Sequence, residues 1–93
     1  MKSDDGPFDF EMYIYNEADL PRRLKEELKD RKYCKFEELP ETGDAIFRDR
    51  VIDSESLKTW VLSYGKSVRV VKPEWFRDII VEDVKKRIHF YRP

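Results

Sequence analysis

Strict alternation marks the first readable segment of the chain. Phe8, Phe10, Met12 and Ile14 fall on one face of an extended backbone and Asp9, Glu11, Tyr13 and Tyr15 on the other, the pattern of a strand with one buried side. Asn16 to Asp19 then offers several capping oxygens, and Pro21 lies in a first helical turn if Asp19 is the cap. Leu20, Leu24 and Leu28 recur every four residues, with Arg22, Arg23, Lys25, Glu26, Glu27 and Lys29 on the remaining faces, which predicts an amphipathic helix ending near Arg31. Two strand-like runs follow, Tyr33–Leu39 and Asp44–Ile52, joined by Pro40, Glu41, Thr42 and Gly43, a composition suited to an antiparallel hairpin. The second run carries one misfit. If Ala45, Phe47 and Val51 face the core, Asp49 shares that face and needs a partner, an edge position or a bulge; the pattern leaves all three open.

The best-marked stretch is Val51 to Pro73. Leu57, Trp60, Val61 and Tyr64 stand at i, i+3, i+4 and i+7, one apolar stripe that must be buried. Asp53 or Ser54 supplies the N-cap oxygen, and Gly65 can take the left-handed conformation that closes the far end. Period two and β-branched residues take over from Ser67 to Val71, until Pro73 removes a donor and presets φ for a new helix. That helix is expected to reach about Tyr91, with Phe76, Ile80, Val84 and Ile88 spaced by four, Ile79 beside them and Trp75 widening the apolar face. Lys85, Lys86 and Arg87 near its end suit the helix dipole. The order predicts an α+β class: a ferredoxin-like βαββαβ sandwich, two helices on one face of a four-stranded antiparallel sheet, with an additional C-terminal helix.

Composition narrows the function. At 93 residues the chain has room for one two-layer core, read as residues 8–93 preceded by a flexible lead-in or an expression remnant at 1–7. Charged residues make up 42% against a typical value of about 25%, yet 19 basic and 20 acidic side chains nearly cancel. That balance removes the electrostatic footprint of a domain that binds duplex DNA or anionic lipid unaided. Cys34 is the only cysteine and His89 the only histidine, which excludes an internal disulfide and leaves too few ligands for a structural zinc site. No apolar run approaches the about 20 residues of a spanning helix, so a cytoplasmic protein without membrane contact is expected.

The combination of Val51 and Asp53, Leu57 and Trp60, Leu62-Ser63-Tyr64-Gly65, Val68 and Val70, Pro73, Phe76 and a terminal Tyr91 resembles the C-terminal extension domain of WYL-type bacterial transcriptional regulators. The upstream βαβ part matches in layout rather than wording, and Asp49 stands where that family usually has an apolar strand residue. The resemblance implies a ferredoxin-like regulatory domain that follows a helix-turn-helix DNA reader and a WYL ligand-sensing domain, neither of them in this chain. It further implies a part in dimer assembly and in passing on the effector signal, with DNA contacted by the full-length protein rather than by this segment. A homodimer through this domain is the implied partner state.

Few residues bear chemistry of their own. Leu57, Trp60, Val61, Tyr64 and Gly65 read as fold-defining, whereas Trp75, off the row of Phe76 and Ile80, reads as a partly exposed contact. Tyr13 and Tyr15 lie on the sheet face opposite the helices, near where Arg48 and Arg50 project, an arrangement that a single-stranded nucleic-acid module would use for stacking. Asp9 and Glu11 on the same face oppose it. Arg22, Arg23, Arg48 and Arg50 read first as solvated ion-pair partners and second as contacts for an anionic effector. A free-standing small-molecule sensor of ACT-like architecture is a further alternative. His89 reads as a surface histidine and Cys34 as a small buried residue. No nucleophile stands with a base, so neither enzyme activity nor a cofactor or metal is expected.

Overall fold

The computed structural model describes the backbone of residues 7–91 and the side chains of residues 7–86. The expected lead-in, apart from Pro7, and the side chains of Arg87, Ile88, His89 and Tyr91 lie outside the described residues. Four strands and three helices follow in order: β1 (Phe8–Ile14), α1 (Leu20–Leu28), β2 (Lys35–Glu38), β3 (Ala45–Val51), α2 (Ser54–Leu62), β4 (Val68–Lys72) and α3 (Glu74–Tyr91). The sheet order is β2-β3-β1-β4 with every neighbouring pair antiparallel. This is the ferredoxin-like split βαβ arrangement with one helix added after β4. Among the described residues no helix is long and apolar enough to cross a membrane.

Alternation sorts the sheet into two faces. Phe10, Met12 and Ile14 of β1, Ala45, Phe47 and Val51 of β3, and Val68 and Val70 of β4 are buried, and Leu20 and Leu24 of α1, Leu57 and Val61 of α2, and Phe76 of α3 cover them. The charged positions between them form the opposite, open face. β2 is an edge strand reading Lys-Phe-Glu-Glu, and its charges discourage pairing with a further strand.

Several boundaries depart from the pattern. α1 ends at Leu28 rather than near Arg31, and the chain turns as Arg31 N–H donates to the Leu28 carbonyl at 3.0 Å. Asp19 is the N-cap residue but its side chain caps nothing; Ala18 and Asp19 are both left-handed (φ 52° and 62°), and the Asp19 carboxylate pairs with Arg22 instead. Asp53 is the cap of α2, its Oδ1 accepting from the backbone N–H groups of Glu55 and Ser56. Gly65 is left-handed as expected (φ 59°) but stands beyond the helix, opening the 3-10 turn Gly65–Ser67 that feeds β4. Pro73 precedes α3, its carbonyl accepting from Phe76 and Arg77.

The stripe of α2 is only half covered. Leu57 and Val61 are buried, but Trp60 and Tyr64 are half-buried and pack on the core from its flank. In α3 the fourfold row fails further along: Phe76 is 1% exposed, Ile80 half-buried and Val84 40% exposed. At 3.6 residues per turn each step of four advances about 40°, so two steps carry Val84 off the face that Phe76 buries. Seven residues after Phe76, close to two full turns, comes the half-buried Asp83.

Candidate functional site

The open sheet face is a lattice of opposite charges set by strand register. Glu11 of β1 stands opposite Arg48 of β3, and Arg48 opposite Lys35 of β2. Arg48 is held between two carboxylates, Nε 3.3 Å from Glu11 and Nη1 3.1 Å from Glu37, which pushes its already high pKa up further. Arg50 pairs more loosely with Asp9, 3.7 Å away. Tyr13 faces Ile46, and its ring lies 5.0 Å from that of Tyr15, just past the end of β1. The two tyrosines are thus brought together. The two arginines are engaged by acids rather than by the rings.

Tyr13 has a different task. Its hydroxyl donates to Asp44 Oδ2 at 2.6 Å, while Asn16 N–H donates to Asp44 Oδ1 at 2.7 Å and Asn16 Nδ2 to the Thr42 carbonyl at 3.3 Å. The end of β1 is thereby pinned to the β2–β3 turn. Gly43 in that turn has φ 81°, a conformation that favours glycine, and a Cβ there would lie 2.3 Å from Asn16 Nδ2 and push the Asn16 side chain aside. The Tyr13 hydroxyl holds the Asp44 carboxyl below its ordinary value of 3.8, and Asp44 in return holds Tyr13 above 10.0.

The depressed acid stabilises the fold above the ordinary carboxylate range, a contribution lost as pH falls through it; the raised phenol contributes below 10.0 and loses this at higher pH. Tyr13→Phe is therefore expected to lower the melting temperature most at neutral pH and to flatten both the acid and the alkaline limbs of its pH profile. Thermal scans of both proteins across that range check this, and parallel profiles would refute the pin.

Asp49 has the first of the three solutions its position allows, a partner. β3 is central and its pairing with β1 runs without a bulge, so the carboxylate points into the core with its side chain 2% exposed. Oδ2 accepts from Arg31 Nε, and Oδ1 accepts from the Arg50 backbone N–H at 2.7 Å. The Arg31 side chain is 48% exposed and reaches in from the turn after α1. Around this pair a groove of about 490 Å³ opens, walled by Leu28 and by Val51, Leu57 and Trp60. The sequence flags Asp49 as a misfit, but its partner lies 18 residues away and carries no pattern of its own.

Cys34 sits in the same turn, half-buried, its thiol donating to the Leu28 carbonyl at 3.2 Å. Burial pushes the thiol pKa up and the nearby Asp49 charge adds to this, against a smaller opposing effect of Arg31. It is a protonated packing group at neutral pH.

The third feature is α3. Trp75 is 38% exposed and stacks edge-on against Phe8 (5.0 Å between centroids) and Phe76 (5.8 Å). Ile79, Val81 and Val84 are 41%, 43% and 40% exposed on a helix whose inner face is taken by Phe76 and Ile80; at about 100° per residue Val81 and Val84 lie together on one flank and Ile79 on the other. Arg22 and Arg23 lie elsewhere, on α1, occupied by Asp19 and by the Ala18 carbonyl.

Comparison with curated proteins gives no match. A model of the WCX domain family matches residues 8–87, from the first residue of β1 into the last turns of α3. The match therefore includes the βαβ half and Asp49, as well as the stretch from Val51 to Pro73 that carries the resemblance. The chain belongs to the WCX family, the C-terminal domain of WYL-containing regulators.

Proposed function

We propose that this chain is a non-catalytic regulatory and oligomerisation module of a cytoplasmic bacterial transcriptional regulator. It joins two copies of the protein, so that effector occupancy of a WYL domain changes how two helix-turn-helix heads are spaced on DNA. Family membership supplies the setting, and the exposed apolar flank of α3 is the observation that carries the assembly role. Two large aliphatic side chains on one side of that long helix, Val81 and Val84, lie at about two-fifths exposure.

The open sheet face serves less well. Arg48 and Arg50 are matched to acids within the chain, and desolvating such pairs in an interface costs about what it returns, whereas interface centres are depleted in charge. α3 therefore contacts the second copy through the side that bears Val81 and Val84.

Substitutions separate the two faces. Val81→Glu combined with Val84→Glu is expected to raise the dimer dissociation constant at least about tenfold, while Arg50→Gln leaves it within about twofold. Sedimentation velocity over a concentration series measures both. Dissociation by Arg50→Gln with no effect of the α3 pair would move the interface to the sheet.

A further inference from the structure

The groove beside Asp49 has the size, walls and charge of a small-molecule site, a role separate from assembly. Its volume of about 490 Å³ lies within the range of about 300–1,000 Å³ that ligand sites occupy. Leu28, Val51, Leu57 and Trp60 make the walls apolar. The polar groups then decide what kind of molecule fits.

Four charged residues line the groove: Arg31, Asp49, Arg50 and Asp53. Asp53 is spent on capping α2, accepting from two backbone N–H groups and from Ser56 Oγ. The Arg50 guanidinium turns to Asp9. Both oxygens of Asp49 are taken, and its side chain is 2% exposed, so a cationic ligand would have to expel Arg31 to reach it. Arg31 differs. Asp49 meets it at Nε, and among the described residues the ion pairs give it no second carboxylate. Anchored at Nε, half-exposed and part of the groove's lining, the guanidinium has a planar pair of terminal donor groups beyond Nε, the chemistry that grips a carboxylate.

We propose that this groove binds a small apolar carboxylate, its acid group on the Arg31 fork and its hydrocarbon body against Leu57 and Trp60. An anion needs no displacement of existing bonds, and the apolar walls select against small hydrophilic acids. The domain would then hold an effector site of its own, and this inference stands or falls independently of self-association.

Trp60 lines the groove and Trp75 does not, so Trp75→Phe leaves a single reporting tryptophan of the two in the chain. In that protein phenylbutyrate and octanoate are expected to change Trp60 fluorescence saturably. The neutral phenylbutyramide is expected to bind at least about tenfold more weakly, as is the acid to Arg31→Lys, which keeps a cation beside Asp49 but lacks the fork.

Removing one partner of a buried pair endangers the fold, so the decisive variant removes both. Arg31→Met with Asp49→Leu, folded by circular dichroism, is expected to bind acid and amide alike. Four results would overturn the proposal: acid and amide binding equally in the parent, undiminished binding by Arg31→Lys, phenylbutylamine binding best, or no response to either acid at about 10 mM.

Discussion

Phe76→Ala is expected to destabilise the protein by about 3–5 kcal/mol, read as a fall in the urea midpoint with little change in slope. Phe76 is 1% exposed and meets Phe10 edge-on at 5.8 Å, with Phe8 tilted 6.1 Å away and Trp75 behind it. Truncation removes a large buried area and leaves a cavity that Phe10, among the most deeply buried strand residues, is held too firmly to fill. Small domains are stable by only about 5–15 kcal/mol, so much of the protein would unfold. The contrast is Ile79→Ala, three residues on but 41% exposed, expected within about 1 kcal/mol of the parent. A small effect of Phe76→Ala would mean that α3 is an appendage, and the family fold would then close without its last helix.

The second large effect comes from the buried acid. Arg31→Met is expected to cost about 3 kcal/mol, the lower end of the range for a severed buried pair because Arg31 is half-exposed. Asp49 would keep the Arg50 N–H at Oδ1 but lose the cation that compensates its charge on the core face of a central strand. Adding Asp49→Leu should restore most of the loss, since an apolar residue suits the neighbours Phe47 and Val51. A double-mutant cycle by urea unfolding gives the coupling. Additive single effects would show that Arg31 and Asp49 do not depend on each other, and the groove beside them would lose its anchor.

What the sequence discloses follows from which interactions are local. β1 is legible because alternation over seven residues has one reading, and α2 because Asp53 caps it within three residues of its start. The register that places Arg48 between Glu11 and Glu37, and the reach of Arg31 to Asp49, join residues far apart in the chain and leave no periodic trace. The burial of α3 misleads for a geometric reason. A four-residue repeat looks like one face of a helix, yet it drifts around the axis, and Val84 ends outside while Asp83 lies nearer the inside. Tyr13 illustrates a different limit. Its place on the open face can be read from alternation, but its bond to Asp44 depends on a turn that brings residue 44 back to the end of β1. The tyrosine therefore looks like a stacking surface in the sequence and is a structural pin in the fold.

Self-association is tested most directly by the mass of the chain in solution across a concentration series, measured by light scattering on a sizing column. The expected result is a mass that rises with concentration from 11.3 kDa toward twice that value. A mass that stays at 11.3 kDa up to the millimolar range would contradict assembly through this domain and leave the apolar flank of α3 to another part of the regulator.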